Sequence, residues 1–213
     1  MPLERQMGKS LGEIEKHHKE RYKWAARLLY GRTVVDAACG CGYGSLILST
    51  VAKHVIGLDR SAEAVTHARR HYCSEKINYR VHDIDKSGFD PRINLQISAV
   101  VSLETIEHLS APIGESLRKI REVLTPDGLV VFSHPALEKP NSNFYHKWFD
   151  LDPELVLNVT KQVGFEVVDR WEQVPDHKRY TYHLVAARKA PCQESSSTLA
   201  VVGTQNRDSG SSI

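Results

Sequence analysis

A short strand-like run that leads directly into a glycine-rich loop constrains this chain more than any other feature. The run Thr33–Ala37 contains three β-branched residues, and the loop that follows reads ACGCGYG from Ala38 to Gly44. Such a loop between a strand and a helix brings the backbone close to a bound ligand. The dinucleotide fingerprint is incomplete because Ser45 occupies its third glycine position, and the loop has no P-loop lysine. We therefore expect a ligand other than a pyrophosphate or a triphosphate.

Strand-like and helix-like segments alternate along most of the chain. We predict strands at 33–37, 54–59, 77–83, 97–103, 129–134, 165–171 and 180–188. We predict helices within 12–30, at 44–52, from Ser61 to about Tyr72, from Pro112 to Leu124, and after Asp152-Pro153. The turn Pro126-Asp127-Gly128 should separate the fourth helix from the fifth strand. This order predicts an α/β, Rossmann-like, doubly wound, mostly parallel seven-stranded sheet with an antiparallel C-terminal strand pair.

Three segments describe the expected domain organisation. Residues 1–32 would form an N-terminal helix that covers a substrate, and residues 33–189 would form the ligand-binding domain. Residues 190–213 are rich in Ser, Thr and Gly, which is typical of a disordered tail. The aromatic residues of 135–152 would cover a site or pack in the core, and both alternatives stay open: Phe144, Tyr145, Trp148 and Phe149.

The charge and the cysteine content exclude several classes of protein. With 28 Lys+Arg against 26 Asp+Glu, the formal net charge is only +2, so a nucleic-acid partner is not expected. The four cysteines form no pair of CxxC motifs, and the N-terminus has no apolar signal core. No apolar run is long enough to cross a membrane. We expect free thiols, a cytoplasmic location and no membrane partner, while the oligomeric state cannot be inferred.

Acidic residues stand at the ends of three predicted strands. Ligands of parallel α/β sheets bind at the carboxyl ends of the strands, where Asp36, Asp59 and Asp83 would lie. The Asp59 carboxylate suits the two hydroxyls of a ribose, and Asp83 suits an adenine amino group beside Ile84. Asp83 is alternatively a solvated loop residue. The set favours a ligand with a ribose, an amine and a positive charge.

Five motifs in order resemble those of the class I S-adenosylmethionine-dependent methyltransferases: VVDAACGCGYG, GLDRSAEAV, HDI, VVSLETIEHL and REVLTPDGLVVFSHP. The resemblance is good over 20–135, although Ala38 replaces the usual first glycine. It implies that S-adenosyl-L-methionine is the cofactor. Asp36 would orient the methionine amine, and Ala38, Gly40 and Gly42 would pass along the methionine. Asp59 would hold the ribose hydroxyls and Arg60 would flank the adenine. Asp83 and Ile84 would hold the adenine, and Ser102 and Leu103 would lie near the sulfonium.

A Glu-x-x-Glu-His cluster follows the fourth predicted strand. If it continues as a helix, Glu104, Glu107 and His108 share one face and could bind Mg²⁺, Mn²⁺ or Zn²⁺. The cluster resembles that of ubiquinone-pathway O-methyltransferases and of small-RNA 3′-terminal 2′-O-methyltransferases, which implies a divalent metal. His134 or His146 would be the fourth ligand. The alternative is that the cluster shapes the pocket and that His108 acts as a base.

These inferences favour a methyltransferase that methylates a hydroxyl of a small molecule or sugar by in-line transfer. A hydroxyl acceptor must lose a proton, and we take His108 as the first candidate base and His134 as the second. The alternatives are a metal-dependent RNA 2′-O-methyltransferase and a non-catalytic, cofactor-binding partner protein. A nicotinamide-dependent dehydrogenase is disfavoured by the missing third glycine.

Overall fold

The computed structural model describes residues 7–89, 93, 96–136, 147–148, 151–174 and 181–191. The predicted tail from 192 onward, His146, and the aromatic residues Phe144, Tyr145 and Phe149 lie outside the described residues.

A seven-stranded sheet forms the centre of the described structure, with the order β3-β2-β1-β4-β5-β7-β6. Its strands are β1 Thr33–Ala37, β2 His54–Asp59, β3 Ile77–Val81, β4 Ile97–Ser102, β5 Leu124–Ala136, β6 Phe165–Gln173 and β7 Thr181–Lys189. The first five pair in parallel, whereas β7 runs antiparallel between β5 and β6. The predicted fold class is confirmed.

The described residues also form six α-helices and one 3₁₀ turn. The helices are α1 Lys16–Ala26, α2 Tyr43–Ser49, α3 Ala62–His71, α4 Ile84–Ser87, α5 Ile113–Val123 and α6 Pro153–Gln162, and the 3₁₀ turn is Ile106–His108. Side chains cap α3, as its sequence predicts, and α6. The Ser61 hydroxyl accepts from the Ala64 amide at 3.2 Å, and Asp152 accepts from the Leu155 amide at 2.8 Å.

The fifth strand is longer than predicted. It begins at Leu124 and includes Pro126-Asp127-Gly128, which the sequence pattern assigned to a turn between helix and strand. The register against β4 shifts between Ile97 and Ala99, so the Pro-Asp-Gly segment forms a bulge inside the strand. The expected turn between helix and strand is therefore wrong, because Leu124 already pairs with Ile97 before the bulge.

Two apolar layers cover the two faces of the sheet. One layer joins α1 and α2 to the sheet through residues such as Trp24, Leu29 and Leu48. The other includes Leu117 and Ile120 of α5 and Val156 of α6. Both faces of the central strands are therefore buried, which is why β4 reads as a nearly continuous apolar run. Among the described residues, no helix has the length and apolar character needed to span a membrane.

Candidate active site

A cavity of about 250 Å³ lies at the carboxyl ends of the parallel strands. Its walls are formed by the segments that follow the first four strands, at residues 38–41, 59–60, 82–85 and 103–105. The remaining lining residues are His18 and Tyr22 from α1, Tyr43 from α2, and His108, Leu109 and Lys147. The cavity therefore occupies the place where ligands bind in parallel α/β sheets.

Hydrogen bonds to Asp59 fix the loop after β1, which borders this cavity. The Gly40 amide donates to Asp59 Oδ2 at 2.9 Å, and the Ser61 amide donates to Oδ1 at 2.8 Å. Ala38 and Gly40 both have positive φ, +60° and +55°, so the loop turns in the left-handed region. Because each carboxylate oxygen can accept more than one hydrogen bond, Asp59 keeps acceptor capacity for a ligand hydroxyl.

The two central glycines of the loop have different roles. A Cβ built on Gly40 would meet nothing within 4 Å, whereas a Cβ on Gly42 would lie 2.6 Å from Ala68 Cβ and 2.8 Å from Tyr79 Oη. Gly40 thus exposes bare backbone to the cavity. Gly42 allows close packing of the loop against α3 and β3, and the structure does not place it in the cavity wall.

Asp36 is fully buried behind the cavity wall. Its carboxylate accepts from Ser45 Oγ at 2.6 Å and from Tyr22 Oη at 3.2 Å. Burial raises the pKa of Asp36 to about 7, although both hydrogen bonds oppose the shift. Ser45, which occupies the third glycine position of the dinucleotide fingerprint, therefore has a structural role. Because Asp36 is buried behind the wall, it would act on a ligand only through neighbouring groups.

The predicted adenine residues lie together in the cavity wall. Arg60, Asp83 and Ile84 line the cavity, and so does Leu103, which was expected near the sulfonium. Asp83 also caps α4, because its Oδ1 accepts from the Asp85 amide at 3.1 Å. The structure does not bring Ser102 to this wall: it is buried and faces a separate small pocket on the α5 side of the sheet.

The Glu-x-x-Glu-His segment does not form the helix on which its shared face depended. Glu104 has φ +52° and lies before the 3₁₀ turn, which begins only at Ile106. Glu104 and His108 line the cavity, while Glu107 is completely buried. The expectation that the three side chains share one helical face is therefore wrong.

The same geometry does not support the predicted metal site. Metal ligands must converge on one point, and Glu104, Glu107 and His108 do not appear among the convergent groups of the described residues, which consist only of Glu15, His17 and His18. The Glu104 carboxylate instead lies 2.6 Å from Arg21 and 2.7 Å from His18. A cation would have to displace this ion pair.

His134 lies in a different part of the molecule from the cavity. It is completely buried at the end of β5, and its ring stacks on His183 of β7 with the centroids 5.6 Å apart. Burial lowers the pKa of His134 to about 4. It lines a second pocket on the α6 side of the sheet, so the structure does not bring it to the site where it was expected as a base.

Three cavity or near-cavity residues of the first two helices were missed by the sequence analysis: His18, Arg21 and Tyr43. Arg21 and Tyr22 are buried, and His18 is only 13% exposed at its side chain. The signal was present in the sequence. His18, Arg21 and Tyr22 recur at i, i+3 and i+4, so one face of α1 carries polar groups towards the protein interior.

The sequence relatives of this chain carry the names of methyltransferases. The model of the Methyltransferase domain family matches residues 34–128. A protein of Mycolicibacterium smegmatis whose name is "probable S-adenosylmethionine-dependent methyltransferase" is 30% identical over 72% of this chain and 60% of its own. A ubiquinone biosynthesis O-methyltransferase of Bradyrhizobium diazoefficiens is 32% identical over 54% of this chain and 44% of its own. The chain therefore spans about half the length of these relatives.

Solved structures show the same fold. The N-methyltransferase NodS of Bradyrhizobium japonicum, in complex with S-adenosyl-L-homocysteine, superposes with a TM-score of 0.65 at 17% identity over 82% of this chain and 86% of its own. The order of the strands and the similarity to this solved structure together define a Rossmann-like methyltransferase fold. Residues 34–128 match the Methyltransferase domain family model, and the chain is similar to the S-adenosylmethionine-dependent methyltransferases.

Proposed function

We propose that this protein transfers a methyl group from S-adenosyl-L-methionine to a hydroxyl of a small molecule or sugar. The observation that carries this proposal is the cavity itself, where the bare backbone of Gly40 faces the strand-end residues Asp59 and Asp83. An adenosine with a charged sulfur needs this combination: hydroxyl acceptors, an acceptor for an amine and close backbone approach.

The residues of the cavity fit such a cofactor. Asp59 would accept from the ribose hydroxyls, and Asp83 with Ile84 would hold the adenine. Tyr22 and Tyr43, with ring centroids 5.5 Å apart, supply aromatic faces that attract a cation. When bound, the cofactor supplies an electrophilic methyl group. The protein then has to align the acceptor, exclude water and remove one proton.

The acceptor would enter beside α1 and the segment after β4. His18, Tyr43, Glu104, His108 and Lys147 provide polar and aromatic groups at this end of the cavity. The volume of about 250 Å³ favours a small acceptor over a macromolecule. The ubiquinone O-methyltransferase relatives are compatible with oxygen as the acceptor atom, and His108 remains a candidate base from its place in the wall.

A methyl-transfer screen tests the proposal. The purified chain is incubated with S-adenosyl-L-methionine labelled in its methyl group and with phenols, sugars, nucleosides or short RNA. We expect label in a phenol or a sugar and none in RNA. Binding of S-adenosyl-L-homocysteine without transfer to any acceptor would favour a non-catalytic, cofactor-binding protein instead.

The ion pair at Glu104 leads to a first prediction about metal dependence. Because Arg21 and His18 occupy the Glu104 carboxylate, we expect turnover to stay within about twofold after EDTA treatment and after addition of Mg²⁺. The measurement is the initial rate with the best acceptor of the screen. A rate that falls with EDTA and recovers with Mg²⁺ would restore the metal site.

A further inference from the structure

His18 lies on α1, and its imidazole lines the cavity and contacts the Glu104 carboxylate. Its Nδ1 lies 2.7 Å from Glu104 Oε1, and its side chain lines the same cavity as Gly40 and Asp59. Three further groups face the ring: Arg21 at 3.0 Å from Nδ1, the His17 ring at 4.4 Å between centroids, and the edge of Tyr43 at 6.3 Å. An imidazole held by a carboxylate at one nitrogen presents its other nitrogen in a defined orientation.

Glu104 is fixed on three sides. Its amide donates to Ser133 Oγ at 2.8 Å, its φ of +52° is a strained value for a residue with a Cβ, and Arg21 lies 2.6 Å from its Oε1. Burial would raise the pKa of Glu104, but Arg21 and His18 outweigh burial and lower that pKa to about 2. Glu104 is thus an anion at neutral pH, and an anion can only accept a hydrogen bond.

Arg21 in turn is held by the opposite edge of the sheet. It is fully buried, donates to Gln173 Oε1 of β6 at 2.8 Å, and lies over the Tyr182 ring of β7 at 4.3 Å. The Glu104 carboxylate is therefore neutralised by a cation that cannot move away. Two groups contact His18 Nδ1: Glu104 can only accept there, and Arg21 can only donate there. The shorter contact, 2.7 Å to Glu104 against 3.0 Å to Arg21, favours the hydrogen of the neutral ring on Nδ1, which leaves Nε2 as the proton acceptor.

We propose that His18, oriented by Glu104, is the general base of methyl transfer. The proposal rests on the proposed function and names α1 as the source of the catalytic group. The acceptor hydroxyl gives its proton to His18 Nε2 while its oxygen bonds to the methyl carbon. The carbon–sulfur bond breaks, and its electron pair stays on sulfur, which becomes a neutral thioether. Glu104 is a positioning residue that stabilises the imidazolium formed in this step.

A first experiment needs no acceptor. Nitrogen-15 NMR of the protein saturated with S-adenosyl-L-homocysteine reports the histidine tautomers, with His18→Gln used for assignment. We expect neutral His18 with its hydrogen on Nδ1, and loss of that preference in Glu104→Gln. The opposite tautomer in the wild type would overturn the proposal. Absence of S-adenosyl-L-homocysteine binding would overturn the proposed function, which keeps the two failures distinguishable.

A second experiment compares three histidines in the kinetics, with 4-nitrocatechol and methyl α-glucoside as acceptors. We expect His18→Gln to lower kcat by roughly 10²-fold or more, the usual range for a general base, and to remove the acid limb of the pH profile. His17→Gln is the matched control, because it alters the neighbouring histidine of the same helix outside the cavity wall. S-adenosyl-L-homocysteine affinity should be unchanged in both.

The variant His108→Gln decides between the two cavity histidines. We expect a loss below about tenfold, with the acid limb of the pH profile retained. If His108→Gln removes the acid limb while His18→Gln keeps it, the base is His108 and the proposal fails. Glu104→Gln should lower kcat with little change in KM, whereas an equal loss of fold stability and activity would assign Glu104 a structural role only.

Discussion

At the scale of single residues, the glycine-rich loop shows why two neighbouring glycines are needed for different reasons. Gly42 has φ +93° and no room for a Cβ beside Ala68 and Tyr79. Gly40 has room for a Cβ, but that Cβ would occupy the space in which the cofactor is expected to contact the Gly40 backbone. One glycine therefore stabilises the fold, and the other keeps the cavity open.

These two positions give a matched pair of variants. We expect Gly42→Ala to lower the free energy of unfolding by about 2–4 kcal/mol, because strain at positive φ adds to overpacking. Gly40→Ala should cost only about 1–2 kcal/mol and should mainly weaken binding of S-adenosyl-L-homocysteine. Urea unfolding and titration calorimetry measure the two effects. Equal stability losses with unchanged affinity would contradict this division.

The pKa of Asp36 gives a prediction about pH. Burial raises this pKa to about 7, above the ordinary 3.8 that the unfolded chain retains. Between these two values the folded state holds a proton that the unfolded state releases, so stability falls as the pH rises from about 4 to about 7. We expect Asp36→Asn to abolish about 2.5 kcal/mol of the decrease between pH 5 and pH 7.5.

Urea unfolding at the two pH values measures this difference. The exposed Asp127 supplies the control, since Asp127→Asn removes a carboxyl that stays in solvent on folding. A pH dependence of the Asp36→Asn variant identical to that of the wild type would show that Asp36 is ionised in the folded protein.

At the scale of elements, α1 is joined to the sheet by polar contacts as well as by apolar packing. Arg21 bridges from α1 to Glu104 after β4 and to Gln173 in β6, and the Gln173 side chain donates to the His17 carbonyl at 3.2 Å. Helix α1, which was expected to cover a substrate, lines the cavity and is joined to the sheet by these contacts. A wall attached in this way can hold a catalytic side chain in one position.

Removal of the buried cation should show how much this attachment contributes. We expect Arg21→Met to lower the free energy of unfolding by about 3 kcal/mol, because it leaves Glu104 without its cation. Arg27→Met is the control: Arg27 pairs with Asp169 at 3.3 Å, but its side chain is 63% exposed, so a change of about 0.5 kcal/mol or less is expected. Thermal and urea unfolding provide both values, and equal losses would refute the bridging role of Arg21.

The segment after β4 shows where local pattern and tertiary structure disagree. The spacing of Glu104, Glu107 and His108 is that of a helix face, and the sequence alone offers no reason against a helix. In the structure the Glu104 amide donates to Ser133 of β5, which holds the backbone outside helical geometry. A contact between residues distant in sequence has overridden the local periodicity. The helix face on which the metal prediction depended is therefore not formed.

At the scale of the whole molecule, a cofactor that binds only the folded state must stabilise it. At a concentration one hundred times its Kd, S-adenosyl-L-homocysteine should add about 2.7 kcal/mol, which corresponds to ~5–10 °C in Tm for a chain of this size. Differential scanning fluorimetry measures the shift. We expect no shift with NAD⁺, because Ser45 and its bond to Asp36 replace the third fingerprint glycine; a shift with NAD⁺ alone would reverse the assignment.

The parts that sequence reasoning anticipated are those specified by neighbours in the chain. Strand β2 at His54–Asp59, the Ser61 cap and the loop at Gly40 each follow from a short stretch of residues and its local chemistry. The residues Asp59, Arg60, Asp83, Ile84 and Leu103 then line one cavity, because parallel strands end at one edge. Their roles in binding the cofactor stay predictions.

Other residues could not be placed from local pattern. His134 ends a strand beside the expected site, yet its side chain faces the opposite side of the sheet, because alternate residues of a strand point to opposite faces. Ser102 lies on a cavity strand but opens onto the α5 side. A shift of one residue at the end of a strand decides which pocket a side chain enters.

The amino-acid sequence by itself determined the class of fold, the glycine loop and the acidic strand ends, since each depends on backbone preferences and periodicity over a few residues. The tertiary structure alone decided that His18, Arg21 and Glu104 meet. His18 and Arg21 come from α1 and Glu104 from the segment after β4, and Gln173 of β6 accepts a hydrogen bond from Arg21. Ion pairs between distant segments form only after the sheet has assembled, and no local pattern encodes their partners.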